Sequence, residues 1–179
     1  MIARLWRHAG PLTVATLAVL AIMVLLEFFY FQSLSGGLAS LAWRPFGFAP
    51  QQGIEWLTAL GPRGAEAILV WHYLSIDLLF PALLSLTLIS LLLHAAHDVA
   101  AFKAISPNRR ATVALALVLP YTVANYAQNA AVVRVLSDPL SANADTLALA
   151  SMLGMLKYAL LAVPLLVLGC LVAVRRPKR

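Results

Sequence analysis

Residues 71–81 read WHYLSIDLLFP, and they sit inside an apolar run that extends over 68–93. Asp77 falls near the middle of that run. In hydrocarbon a lone charge costs at least about 2.5–3.5 kcal/mol on insertion scales, so such a residue faces a bundle interior and finds partners. In a soluble helix it would need no explanation. Which case applies decides the fold.

Composition decides it. Of 179 residues 62% are hydrophobic and 11% are charged, against about 25% charged in soluble domains, and mean hydropathy is +0.87. The chain reads as an integral membrane protein. Four runs approach or exceed the roughly 20 residues that a spanning helix needs: 11–31, 68–93, 111–135 and 147–174. The sequence therefore predicts an all-α, four-transmembrane-helix bundle forming a single membrane domain over 1–179. The last run is longer than a bilayer requires, which predicts tilt or extension past the interface. The first run exceeds a signal peptide's apolar stretch and reads as a retained anchor. Lipidation motifs are absent from the sequence.

The net charge of +6 comes from basic residues grouped by loop, which points to membrane topology rather than nucleic acid. Arg4 and Arg7 precede the first run. Lys103, Arg109 and Arg110 lie between the second and third, and Arg175, Arg176, Lys178 and Arg179 follow the fourth. In the other loops Arg44 and Arg63 are offset by Glu55 and Glu66, and Arg134 by Asp138 and Asp145. The positive-inside rule then puts both termini in the cytoplasm.

The long first outer loop contains PQQGIEWLTALG. Pro50 suits a first helical position and Gly61 a C′ stop, which predicts an interfacial helix over about 50–60. Ile54, Leu57 and Leu60 recur on one face with Trp56 beside them. Trp56, Leu57 and Leu60 are candidates for a lid or partner surface, or for simple packing on the bundle.

At about 1.5 Å per residue, Asp77 lies about 14 Å along its helix from the outer boundary, and Lys157 and Asn125 about 15 Å. Gln128 and Asn129 share the face of Asn125. Tyr121 lies one turn deeper, Tyr73 one turn outward of Asp77, and Glu27 near the outer end of the first helix. Asp77 and Lys157 are the expected pair, with the amides satisfying what remains. Pro81 withholds a donor from the carbonyl of Asp77, an acceptor that would suit Lys157. Gly154 lets a neighbouring helix approach. Such a network can also serve only to fix helix register.

Other candidates carry less. His94, His97 and Asp98 share a helix face but lack the further ligands a zinc site needs, so no metal is expected. His72 reads as an interfacial residue beside Trp71. Cys170 is a lone thiol. The sequence contains no phosphate loop, nucleophile elbow or His-Glu-x-x-His motif, and no cofactor is expected.

The succession RPFGFAPQQGIEWLTALGPRG, HYLSIDLLFPALLSLTL, NYAQN and LKYALL resembles an uncharacterised family of small bacterial four-helix membrane proteins. The resemblance runs from Arg44 to about Leu165. Gly47, Leu60, Gly61 and Arg63 match that family's outer-loop pattern in kind, although Arg63 precedes Gly64 instead of following it. Asp77, Phe80 and Pro81 match its Asp-x-x-Phe-Pro step. Where the family carries Asp-x-x-Glu-Asn, this chain has Asn125, Gln128 and Asn129, so both carboxylates are replaced by amides. The resemblance implies the bacterial inner membrane and supplies no activity.

Three functions fit. An outward-facing pocket would bind or move a small polar solute or lipid headgroup, and a zwitterion would match an acid and a base at one depth. A structural or assembly protein would use the network for packing, with a protein partner the sequence does not identify. An intramembrane enzyme would use Asp77 as acid or base, and the third-helix amides weigh against it. The bilayer itself is the partner common to all three.

Overall fold

The computed structural model describes residues 2–97, 99, 102, 104–138 and 141–174, with Ala3 described by its backbone alone. Asp98, Lys103 and the basic tail 175–179 lie outside the described residues. Those that are described form helices and connecting turns, with no strand among them.

A 3₁₀ segment, Ile2–His8, leads into α1 (Ala9–Leu26), which continues through a π-helical turn, Glu27–Phe31, to Leu34. After a loop come α2 (Pro50–Ile68), π-helical turns over Leu69–Ile76, and α3 (Asp77–His97). α4 (Pro107–Ser137) and α5 (Ala144–Val174) complete the chain. Three stretches are long and apolar enough to cross a membrane: Arg4–Leu34, Pro50–His97 and Ala144–Val174. α4 has the length, 31 residues, but Asn125, Gln128, Asn129 and Arg134 dilute its apolar character. Sequence reading counted it as a fourth span, and it is the helix that most needs its neighbours to cover it.

Helix ends follow local chemistry. Pro50 opens α2, and the side chain of Gln52 accepts from the Ala49 amide at 3.0 Å. Gly61 takes φ 60°, ψ −179°, a left-handed break at which Pro62 restarts the helix. The predicted stop at Gly61 is therefore present as a kink inside a longer rod. Asn143 caps α5 by accepting from the amides of Asp145 and Thr146, each at 3.0 Å.

α3, α4 and α5 pack on one another, and α1 packs on α3. Buried hydroxyls fix the α1 side: Thr16 and Thr87 share a hydrogen bond at 2.7 Å, and Ser90 donates to the Leu5 carbonyl at 2.6 Å. Two apolar cores result. One, at the α2 end, gathers Phe31, Leu41, Trp56, Leu60, Ile68, Tyr73, Val132 and Leu147. The other, toward the chain's N-terminus, gathers Leu88, Leu92, Ala111, Ala114 and Val118.

The first segment of α2 packs down on the α2-end core. Its buried stripe is Gly53, Trp56, Leu60 and Gly64, while Ile54 is 39% exposed. The expected Ile54 face is thus rotated outward. Gly53 is the reason: a Cβ there would lie 2.8 Å from Leu147 Cδ2 and 3.3 Å from Phe48, so the helix sits closest to the bundle where it has no side chain. Trp56 and Leu60 are buried and Leu57 packs against the same core, so these three form the bundle's cover rather than a free surface.

Candidate functional site

Between the two cores lies a cavity of about 310 Å³. Four elements supply its polar wall: His72 from the π-helical turns, Asp77 from α3, Tyr121 and Asn125 from α4, Lys157 and Tyr158 from α5. Leu17 and Leu20 of α1, Phe80 and Leu84 of α3, and Leu161 and Leu165 of α5 supply the apolar wall. Ala42 and Trp43 form its roof toward the α2 end.

The π-helical turns bring His72 and Asp77 together. The Asp77 amide donates to the His72 carbonyl, the i→i−5 pairing that defines a π turn. On a regular α-helix these two side chains would point about 140° apart. The wider turn moves them toward one side, with His72 Nε2 3.9 Å from Asp77 Oδ2. Both residues are buried, His72 to 1% and Asp77 to 3% exposure, and neither of these atoms has a hydrogen-bond partner. The reading of His72 as interfacial is corrected accordingly. Its ring is held edge-on by Phe31 at 5.4 Å and Tyr73 at 4.7 Å between centroids.

Lys157, 6% exposed, lines the same cavity, its Nζ 5.1 Å from the Tyr158 ring centroid. The close acid–base neighbour of Asp77 is the His72 imidazole, and Asp77 and Lys157 line one cavity wall without forming the expected direct pair. The freed carbonyl of Asp77 also finds a different partner: the Asn129 side-chain amide donates to it at 3.0 Å.

The remaining predicted residues divide by role. Asn125 faces the cavity and its Nδ2 has no partner. Gln128 is packed against α5, where a Cβ on Gly154 would come within 2.8 Å of its Nε2. The expected close approach at Gly154 is present, and Gln128 fills it. Glu27 is turned to the loop, accepting from the Ser40 amide at 2.8 Å and the Ser40 hydroxyl at 2.6 Å. That bond holds the loop that carries Ala42 and Trp43. Tyr73 is buried beside His72 and does not line the cavity. Tyr158, missed in the sequence, donates to the Ala42 carbonyl at 2.8 Å and so ties roof to wall.

Far from this site, His94 and His97 stack on Trp6, at 6.4 Å and 4.8 Å between centroids, which accounts for their shared face. Among the described residues no group of three or more histidines, cysteines or carboxylates is placed to hold a metal.

The chain matches no protein-family model, no curated protein and no solved structure.

Proposed function

We propose that this protein is a four-span bundle of the bacterial inner membrane whose intramembrane cavity binds a small polar group, either a solute or a lipid headgroup. α4 serves as the fourth span, shielded by α3 and α5, and the first segment of α2 rests at the outer interface. Both termini are cytoplasmic. Arg4, Arg109 and Arg110 support that orientation, because they fall on the loops opposite α2. The cavity then belongs to the outer half of the membrane.

One observation carries the binding reading. His72 Nε2, Asp77 Oδ2 and Asn125 Nδ2 are all buried and all without a hydrogen-bond partner, and all three residues face one cavity together with Lys157. Buried polar groups in native structures are otherwise bonded. A purely structural network accounts well for Glu27, both of whose carboxylate oxygens are engaged. It leaves the cavity-facing set unexplained.

The test is native mass spectrometry of protein extracted in mild detergent. Wild type should retain a bound small molecule or lipid, and Asp77→Asn combined with Lys157→Met should lose it. Equal spectra for the two proteins would overturn the reading.

A further inference from the structure

We infer that the ligand is a bilayer amphiphile with a zwitterionic headgroup, taken up sideways between α1 and α5. This rests on the headgroup-or-solute reading above and chooses between its two members.

Three observations lead there. The cavity has a polar end and a longer apolar flank, and the two differ in position along the helices. His72, Asp77, Asn125 and Lys157 stand together, while Leu84, Leu161, Leu165 and Leu17 continue toward the N-terminal core. A ligand polar throughout would leave that flank unmatched, whereas a headgroup with its chain matches both. The polar end holds an acid and a base, the carboxyl group of Asp77 and the amine of Lys157, on different helices. An amine and a phosphate joined in one headgroup complement them, the phosphate as a charge-assisted acceptor for Lys157 and the amine as a donor to Asp77.

Access supplies the third observation. The α2-end core, with Phe31, Trp56 and Tyr73 all within 2% of complete burial, closes one end. The roof of Ala42 and Trp43 is pinned by Glu27–Ser40 and Tyr158–Ala42 hydrogen bonds. Leu88, Leu92 and Val118 close the other end. Sideways, the lining is open: Leu17 of α1 is 57% exposed and Leu165 of α5 is 47% exposed, although both line the cavity. Those two leucines flank a mouth that faces the lipid tails when the bundle lies in a bilayer. A chain emerging there stays in hydrocarbon, so only the headgroup needs to fit inside. At about 310 Å³ the cavity is at the small end of the roughly 300–1,000 Å³ range of ligand pockets, as a headgroup site should be.

The experiment compares two probes on the full-length protein in detergent: a phosphatidylethanolamine, and glycerophosphoethanolamine, the same headgroup without chains. Binding is followed by native mass spectrometry and by thermal stabilisation. The lipid should bind about tenfold or more tightly than the soluble headgroup. Leu17→Trp with Leu165→Trp, changes at exposed positions that leave both cores intact, should weaken lipid binding by a similar factor without lowering the melting temperature of the unliganded protein. If both probes bind equally and the double tryptophan variant binds like wild type, lateral uptake is wrong and the polar pocket stands. If phosphatidylglycerol competes as well as phosphatidylethanolamine, the zwitterionic assignment is wrong. If neither probe binds, and Asp77→Asn with Lys157→Met leaves the native spectrum unchanged, the pocket reading falls as well.

Discussion

The side-chain amide of Asn129 donates to the main-chain carbonyl of Asp77 across 3.0 Å, linking α4 to α3. Pro81 makes that bond necessary. A proline four residues on has no N–H to offer, so the carbonyl would otherwise be left without its helical donor. The bond places the α4 amide face at the level of the acid, and Asn129 itself does not line the cavity.

Asn129→Ala should therefore destabilise the protein by about 1–3 kcal/mol, the usual cost of orphaning a buried acceptor. In a Pro81→Ala background the backbone donor returns, and the same substitution should cost less than half as much. Thermal or denaturant unfolding of the four proteins measures this coupling directly. Strict additivity would show that the Asn129 bond is incidental.

Glu27 offers a graded series. Its carboxylate takes two hydrogen bonds from Ser40, and charge-assisted bonds are worth about 1.5–3 kcal/mol each. Glu27→Ala should cost about 3–6 kcal/mol. Glu27→Gln, which keeps one acceptor and gives a donor that the Ser40 hydroxyl can accept, should cost clearly less. Ser40→Ala, which retains the backbone bond, should fall below both. Reversal of this order in melting temperatures would contradict the clamp.

Gly53 is where α2 meets the bundle. A Cβ there would fall 2.8 Å from Leu147 Cδ2, and Leu147 is fully buried. Gly53→Ala should destabilise by about 1–3 kcal/mol through overpacking. Adding Leu147→Val should recover part of that loss. An alanine variant as stable as wild type would mean that α2 sits further from α5.

These relationships were unequally legible in the sequence. Pro50 and Gly61 announced the α2 segment through their own backbone constraints; Pro50 opens the helix as read, while Gly61 kinks it without ending it. Equal helical depth was enough to bring Asp77, Asn125 and Lys157 to one level, because rise per residue varies little between helices. Their partners were less accessible. His72 lies on the wrong side of a regular helical wheel, and only the π turns over Leu69–Ile76 move it toward Asp77. The choice of Asn129 over Lys157 for the Asp77 carbonyl depends on the mutual rotation of α3 and α4, which no single-helix pattern records. Glu27 was legible as buried and polar, but its partner Ser40 comes from an irregular loop without periodicity. The rotation of α2 follows from a missing side chain at Gly53, a signal that an apolar-face count overlooks.

The most direct test of the account is thermal unfolding of Asp77→Asn, Lys157→Met and the double variant, measured with ligand retention on the same samples. Asp77 and Lys157 line one cavity without a direct ion pair between them, so each neutral substitution should leave the melting temperature of ligand-free protein unchanged or raised, since it removes the cost of burying a charge. The bound lipid should be lost in all three. A sharp fall for each single variant, with recovery in the double, would identify a structural ion pair and contradict the account.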